Sequence, residues 1–582
     1  MKRTLSLVLA LLFVFSIVFS LAACGKSGGG DATTAAAGTT AGGTQNAAEA
    51  TTKREVTAAA TTTDKWEIYG PEIAGLDAID RQFKIEFSQF AAPEKIAKNR
   101  QYLQGPDSIE DGVTPTIEQM VYERNFAAKE LLGVDISYEE WDHDKASWGR
   151  AAGPIQTLVQ GNAADAPDLF VNMIYDLNLV LKTTGAFKDV WSIPGSYFDF
   201  TTEGWMTDWM ISMSITGDRA YVLAGDYFLD VLRTIGVLPF NMTMMDANAN
   251  KLAMPLLGEE LAEGEELTPL FFDLVEEGKW TWDLLGKLCE AIWVDNDGDG
   301  ADSVRDQLGI IADEYGGVSS SIFIYSCGEE LIERRVIEDE TSPYYGKEWV
   351  YYPSEPGVLN DIFDSVAAVF SGSGSLSTRN SLDGSTPDNP GLAYHHIKFG
   401  QGELLTAGAC LLGELEDESF QQMQDQYSVV PLPKVRVESE YNTFITNTGD
   451  AGAINVNTTP NRAKVITAYV QYCTENSAEI REEFLEIVTK YKTTTYNQGT
   501  DRMLDLIYEN INYGGVKVIE DAVNGGNRWH VMMKDGGKFL YTSADLASLY
   551  AGAIQSKQAT LDGIIEKWYT LPKTEPAAES AE

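Results

Sequence analysis

Apolar and polar residues alternate over 83–90, Phe83-Lys84-Ile85-Glu86-Phe87-Ser88-Gln89-Phe90, and a period of two predicts a strand. From 116 to 132 the apolar positions fall three and four apart, which predicts an amphipathic helix, and 133–138 returns as a second strand. Residues 147–161 read as a helix interrupted at Gly153-Pro154, and 166–172 as a buried third strand. Strand, helix, strand, helix, strand with short connections predicts a mostly parallel sheet covered on both faces. Such a sheet receives ligands beyond the C-terminal ends of its strands.

A second group of elements follows. Thr281 caps a predicted helix, Asp283 adds negative charge to its first turn, and Leu284, Leu285, Leu288 and Ile292 form its apolar stripe. Residues 306–310 and 409–412 read as strands, and a helix containing Ile322-Phe323 lies between them. A strand at 452–456 with helices at 462–473, 478–491 and 502–511 then returns to the strand-helix pattern, as a lobe built from discontinuous segments requires. No repeat of solenoid length is present.

The ends carry a different signal. Lys2 and Arg3 precede an apolar stretch, 5–21, too short for a good membrane span and closed by small residues, so 1–23 reads as a signal peptide. Leu21-Ala22-Ala23-Cys24 resembles a bacterial lipobox, which implies diacylation of Cys24 and anchoring to the membrane. Gly, Ala, Thr and Ser dominate 24–64, which reads as a disordered tether. Gly25-Lys26-Ser27 lacks the strand and glycine of a phosphate loop.

Beyond Lys65 roughly five hundred residues remain, too many for one core and fitting for two large lobes. With 43 Lys+Arg against 87 Asp+Glu and no basic stripe, nucleic acid and anionic lipid headgroups are excluded as partners. Cys289, Cys327, Cys410 and Cys473 lie far apart in apolar runs without CxxC spacing and read as buried free thiols, with two disulfides, which export permits, as the alternative.

The sharpest local chemistry is the loop from Asp295. Counted from that residue, Asp295, Asp297 and Asp299 place side-chain oxygens at alternate positions, and Gly300 follows for the turn. Ala301 offers its carbonyl, Ser303 comes next, and Asp306 ends the loop where an EF-hand has Glu. Calcium is the structural ion this order suits; the alternative is a bare Asp-Gly turn. Catalytic patterns are missing. The four histidines form neither HExxH nor a Cys/His zinc spacing, and His395-His396 reads as a partly exposed loop pair. There is no GxSxG elbow, and 87 acids single out no carboxylate pair for glycoside hydrolysis, so no enzyme is predicted.

Several ordered phrases add a resemblance. They are Gly217-Asp218-Arg219-Ala220-Tyr221-Val222-Leu223 leading to Val237-Leu238-Pro239-Phe240-Asn241, then Trp280-Thr281-Trp282-Asp283 with its acidic loop and Asp306-Gln307. Tyr427-Ser428-Val429-Val430-Pro431-Leu432-Pro433-Lys434 follows, then Lys490-Tyr491 and Met503-Leu504-Asp505-Leu506-Ile507. In this order they resemble the family 1 extracellular solute-binding lipoproteins of bacterial ABC importers, the carbohydrate type with clostridial-like phrases. Two departures stand out: Phe240-Asn241-Met242 replaces the usual Tyr-Asn-Lys, and 327–360 carries an unusual insert.

The resemblance implies an α/β, two-lobe, periplasmic-binding-protein-like (type II) clamshell with discontinuous lobes and crossover hinges. Lobe 1 is expected at 65–225 plus 445–512, lobe 2 at 235–435 plus 520–572, and a tail at 573–582. It implies a monomer on the outer face of the cytoplasmic membrane of a Gram-positive-type bacterium, delivering a carbohydrate, oligosaccharide above all, to ABC permease subunits. The ligand-binding residues expected on loops beyond strand ends are Gln89, Trp141, Asn172 and Tyr175 in lobe 1, with Asp226 and Tyr227 near the crossover. Ser319 and Glu414 are those of lobe 2. Trp and Tyr are the residue types that stack on sugar rings. Two alternatives stay open: a surface carbohydrate-active or glycan-adhesion lipoprotein, and a same-fold binder of peptides or other solutes.

Overall fold

The computed structural model describes residues 65–88, 98–110, 112–142, 144–146, 148–182, 185–313, 318–329, 331–378, 394–490, 497–511 and 543–571. The signal peptide, Cys24, the tether, Gln89 and the 573–582 tail lie outside the described residues. All described residues belong to one unit, Thr63–Glu582.

After a helix at Lys65–Ala74, the chain lays down β1 (Gln82–Ser88), α1 (Thr116–Leu132), β2 (Asp135–Trp141), α2 (Ala152–Gln160), β3 (Leu169–Met173) and α3 (Ile174–Leu181). β1 pairs parallel with β2 and β3. Gly133, at φ +59, ends α1 in a left-handed cap whose N–H returns to the Lys129 carbonyl, and β2 begins two residues later. The helix expected from 147 starts instead at Ala152. The Asp176 carboxylate accepts the N–H groups of Gly149, Ala151 and Ala152, so a side chain from α3 caps α2. Pro154 then sits in the first turn, where its missing N–H costs nothing.

The second group runs through β4 (Gly236–Asn241), α4 (Leu267–Glu276), α5 (Trp282–Ile292), β5 (Leu308–Asp313) and α6 (Val318–Tyr325). It continues through β6 (Glu333–Val336), β7 (Glu348–Tyr351), α7 (Val358–Ser371), β8 (Ser375–Thr378), α8 (Tyr394–Gly400), β9 (Leu404–Thr406), β10 (Cys410–Leu411) and β11 (Tyr427–Val430). These strands form a second mixed sheet in the order β10-β4-β9-β5-β8 with β11 on β4, while β6 and β7 make a separate hairpin within the insert. Thr281 caps α5 by accepting the Leu284 N–H. A side chain at Gly309 would meet Cys289 Sγ at 2.4 Å, so glycine there lets α5 lie directly on β5. The strand expected at 306 begins at Leu308, because Asp306 closes the acidic loop.

The chain then returns to the first sheet as β12 (Asp450–Ile454), antiparallel to β3, giving the order β12-β3-β1-β2. α9 (Pro460–Glu475), α10 (Ala478–Lys490), α11 (Asn497–Glu509) and α12 (Ser543–Thr570) complete the described chain. Two sheets are therefore joined by two connections, and these run side by side. Ile235 bridges Ile445, the Gly236 N–H donates to the Phe444 carbonyl at 2.9 Å, and the Thr446 N–H donates to that of Thr234 at 3.0 Å.

Two helices span the sequence partition. The boundary at 512 assigns α11 to the first lobe, where its Tyr508 bonds Asp226 and Arg481, and it also packs on the second sheet: Thr500 bonds Ser428, and Arg502 pairs with Asp273 and Glu276 of α4. α12 was expected on the second lobe and touches both. Asp562 accepts from Trp349 Nε1, whereas Trp568 donates to the Leu181 carbonyl at 3.1 Å and packs edge-to-face on Tyr221. The four described cysteines are buried and form no disulfide with one another. No described helix is long and apolar enough to cross a membrane.

Candidate ligand-binding site

The three parallel strands of the first sheet end at Ser88, Trp141 and Met173. β2 runs three residues further than the alternation predicts, and this draws Trp141 into the sheet, where it is 1% exposed. Its ring packs on Phe170, Lys145 Nζ lies 3.9 Å over it, and its Nε1 donates to Glu139. The expectation that Trp141 stacks on a ligand is therefore corrected: its faces are occupied.

The aromatic that this edge presents to solvent is Trp148, 53% exposed, in the loop between β2 and α2. Its φ is +47, a left-handed conformation that a bulky side chain adopts only under constraint. The constraint is visible. Gly149 follows at φ +88 with its N–H on Asp176, and a Cβ there would meet Leu179 at 3.1 Å and the Tyr175 ring at 3.5 Å. The loop is thus pressed against α3, with Trp148 held outward and half-buried Tyr175 beside the same turn. The sequence carried a signal for this in Trp148-Gly149, which a helix interior disfavours.

Behind this edge lies a buried polar junction. Asp450, the first residue of β12, accepts hydrogen bonds from Ser88 Oγ and Asn99 Nδ2. The neighbouring Lys98 N–H donates to Asp230 at 3.0 Å, and Lys98 Nζ pairs with Glu416. Arg233 faces Asp230 at 3.4 Å and Glu416 at 3.6 Å. One network thus ties the segment after β1, the first connection and the turn after β10. Asn172 is within the sheet, fully buried, donating to Glu86 at 2.5 Å. Burial, with Asp450 nearby, holds the Glu86 carboxyl well above its ordinary range, and burial with Asp230 nearby does the same for Asp450.

Asp226 is a second buried anchor. It accepts from Arg481 at 2.8 Å and from the Tyr508 hydroxyl at 2.9 Å, joining the first connection to α10 and α11. Burial raises its pKa to about 6, and the pair with Arg481 offsets only part of that rise. Tyr227 is buried beneath the Arg124 guanidinium, 5.0 Å from its ring. Ser319 is buried on α6. Glu414 is one-third exposed, and it accepts the Leu411 N–H at 2.7 Å. Of the expected ligand residues described here, Tyr175 and Glu414 reach solvent, while Asn172, Asp226, Tyr227 and Ser319 build the interior.

In the acidic loop one carboxylate oxygen each of Asp295, Asp297 and Asp299 lies within 4.8 Å of the others. Asp295 accepts the N–H groups of Gly298 and Gly300, and buried Asp306 accepts those of Asn296 and Ser303. Backbone pairing of Val294 with Gln307 closes the loop, with Ala301 exposed at its tip. The oxygen ligands suit a hard cation such as calcium.

No family model matches the chain, and no curated protein matches it. Among solved structures, it is similar to a family 1 extracellular solute-binding protein from Bifidobacterium longum subsp. infantis. That match has 13% identity and a TM-score of 0.43, covering 84% of this chain and 99% of that one. It is similar to the GacH receptor of Streptomyces glaucescens, crystallised unliganded and with acarbose, at 12% identity and TM-score 0.40 over 83% of this chain and 98% of that one. A third is the ABC transporter associated binding protein from B. animalis subsp. lactis Bl-04 in complex with β-1,6-galactobiose. It shows 12% identity and a TM-score of 0.42 over 82% of this chain and 98% of that one.

Proposed function

We propose that this chain is an extracellular solute-binding lipoprotein of an ABC importer. It captures a carbohydrate between two α/β lobes and delivers it to a membrane permease. The observation that carries this reading is Trp148, exposed and held at positive φ beside Tyr175 at the C-terminal edge of the first sheet. A rigid, solvent-exposed apolar face is what a sugar ring stacks on. The side-by-side connections at 234–236 and 444–446 supply a hinge, and the Asp230–Arg233–Glu416 network lies beside it. The ordered sequence phrases point the same way.

In this reading the lipid on Cys24 holds the receptor at the outer face of the cytoplasmic membrane, and the acidic loop carries calcium as a staple remote from the ligand. The test is equilibrium binding of the purified protein to a panel of α- and β-linked di- to tetrasaccharides, β-1,6-galactobiose among them. Saturable binding without turnover supports the proposal. Release of hydrolysis products would replace it with a carbohydrate-active enzyme.

A further inference from the structure

His395 and His396 are not the exposed loop pair that the sequence suggests. Both are buried on α8, their ring centroids 4.1 Å apart, and they face Cys410 of β10. His396 Nε2 lies 3.1 Å from Cys410 Sγ, and one ligand atom each of His395, His396 and Cys410 falls within 4.8 Å of the others. Glu414 Oε2, in the turn after β10, stands 4.0 Å from His396 Nε2 and accepts the Leu411 N–H; it lies outside the trio. On the far side of the same ring, Asp417 Oδ2 lies 3.5 Å from His396 Nδ1.

We infer that His395, His396 and Cys410 form a structural zinc site, with Glu414 swinging in as the fourth ligand and Asp417 orienting His396. Tetrahedral zinc, with bonds of about 2.0–2.3 Å, sets its donors roughly 3.3–3.8 Å apart. The distances from His396 Nε2 to Cys410 Sγ and Glu414 Oε2, 3.1 and 4.0 Å, fall on either side of that span. Two imidazoles, a thiolate and a carboxylate form a borderline-soft set that favours zinc over calcium or magnesium. A carboxylate on the second nitrogen of a ligating imidazole is the arrangement that fixes its tautomer and direction. The donors come from two segments, α8 and the stretch from β10 through the following turn. The ion would therefore clamp α8 to the part of the second sheet that bonds the connection, where the Leu412 N–H meets the Ile235 carbonyl at 2.8 Å. With His395, His396 and Cys410 buried, zinc enters during folding and leaves on unfolding, the Cys410 thiol releasing its proton as the metal binds.

The experiment unfolds the purified full chain in guanidinium with a chelator and refolds it with Zn2+, with Co2+ or without metal. Metal content is read after gel filtration, and the Co2+ form is read by absorption. The expected result is about one zinc per chain, a higher melting temperature with zinc, and a tetrahedral cobalt spectrum with a thiolate charge-transfer band. Cys410→Ser should lose that band, His396→Asn should lose the metal, and Asp417→Asn should weaken zinc binding about 10- to 100-fold. Should the ligand variants fail to fold, the cobalt spectrum of the unaltered chain decides. The inference is overturned if the unaltered chain refolds without metal uptake and melts alike in all three conditions. It is also overturned if its cobalt spectrum lacks the thiolate band.

Discussion

Trp148 offers a prediction with two separable parts, affinity and strain. Trp148→Ala removes the ring and keeps a Cβ at φ +47, whereas Trp148→Gly removes the ring and relieves the backbone. A Trp side chain buries 150–250 Å2, so its 53% exposure leaves roughly 80–130 Å2 for a ligand to cover. At ~25 cal/mol per Å2, covering half to all of that area contributes about 1–3 kcal/mol. Both variants should therefore bind a panel sugar about 10- to 100-fold more weakly by calorimetry. Their stabilities should differ. In urea unfolding, Trp148→Gly should exceed Trp148→Ala by about 1 kcal/mol, since both lose the ring and only one keeps the strained conformation. Equal stabilities would remove the strain from the account, and unchanged affinity in both variants would remove Trp148 from the binding site.

Two other perturbations probe the framework. Asp226, with its pKa raised to about 6 against 3.8 unfolded, contributes stability that is fully present below pH 3.8 and lost as pH rises through 6. Asp226→Asn cannot titrate, so its deficit against the unaltered chain should be about 1.5 kcal/mol larger at pH 5 than at pH 7.5 in urea melts; a pH-independent or reversed gap would contradict this. In the acidic loop, calcium at 100 times its dissociation constant should stabilise by about 2.7 kcal/mol. Melting with Ca2+ and with chelator measures this, and Asp295→Asn with Asp297→Asn should abolish the difference while sugar binding persists.

What the sequence showed and what it hid follow from the range of the interactions. α1 was legible to the residue because its period and Gly133 are local signals. The start of α2 was not, because its cap, Asp176, lies 25 residues beyond Ala151. Trp141 was expected in a loop because alternation could not say where β2 stops, and three added residues carry it inside. The histidine pair looked like a loop because its partner, Cys410, is 14 residues away and no spacing rule joins them. The double packing of α11 and α12 was hidden for the same reason: partners such as α4 and Leu181 are hundreds of residues distant. Helical periodicity locates an apolar face without saying what covers it.

The central claim, capture by closure of two lobes, is tested most directly by small-angle scattering of the protein with and without a saturating sugar from the panel. The account predicts a smaller radius of gyration in the bound state, reversed on removing the sugar and lost in Trp148→Gly at concentrations where that variant no longer binds. Sugar bound at saturation with an unchanged radius of gyration would contradict it.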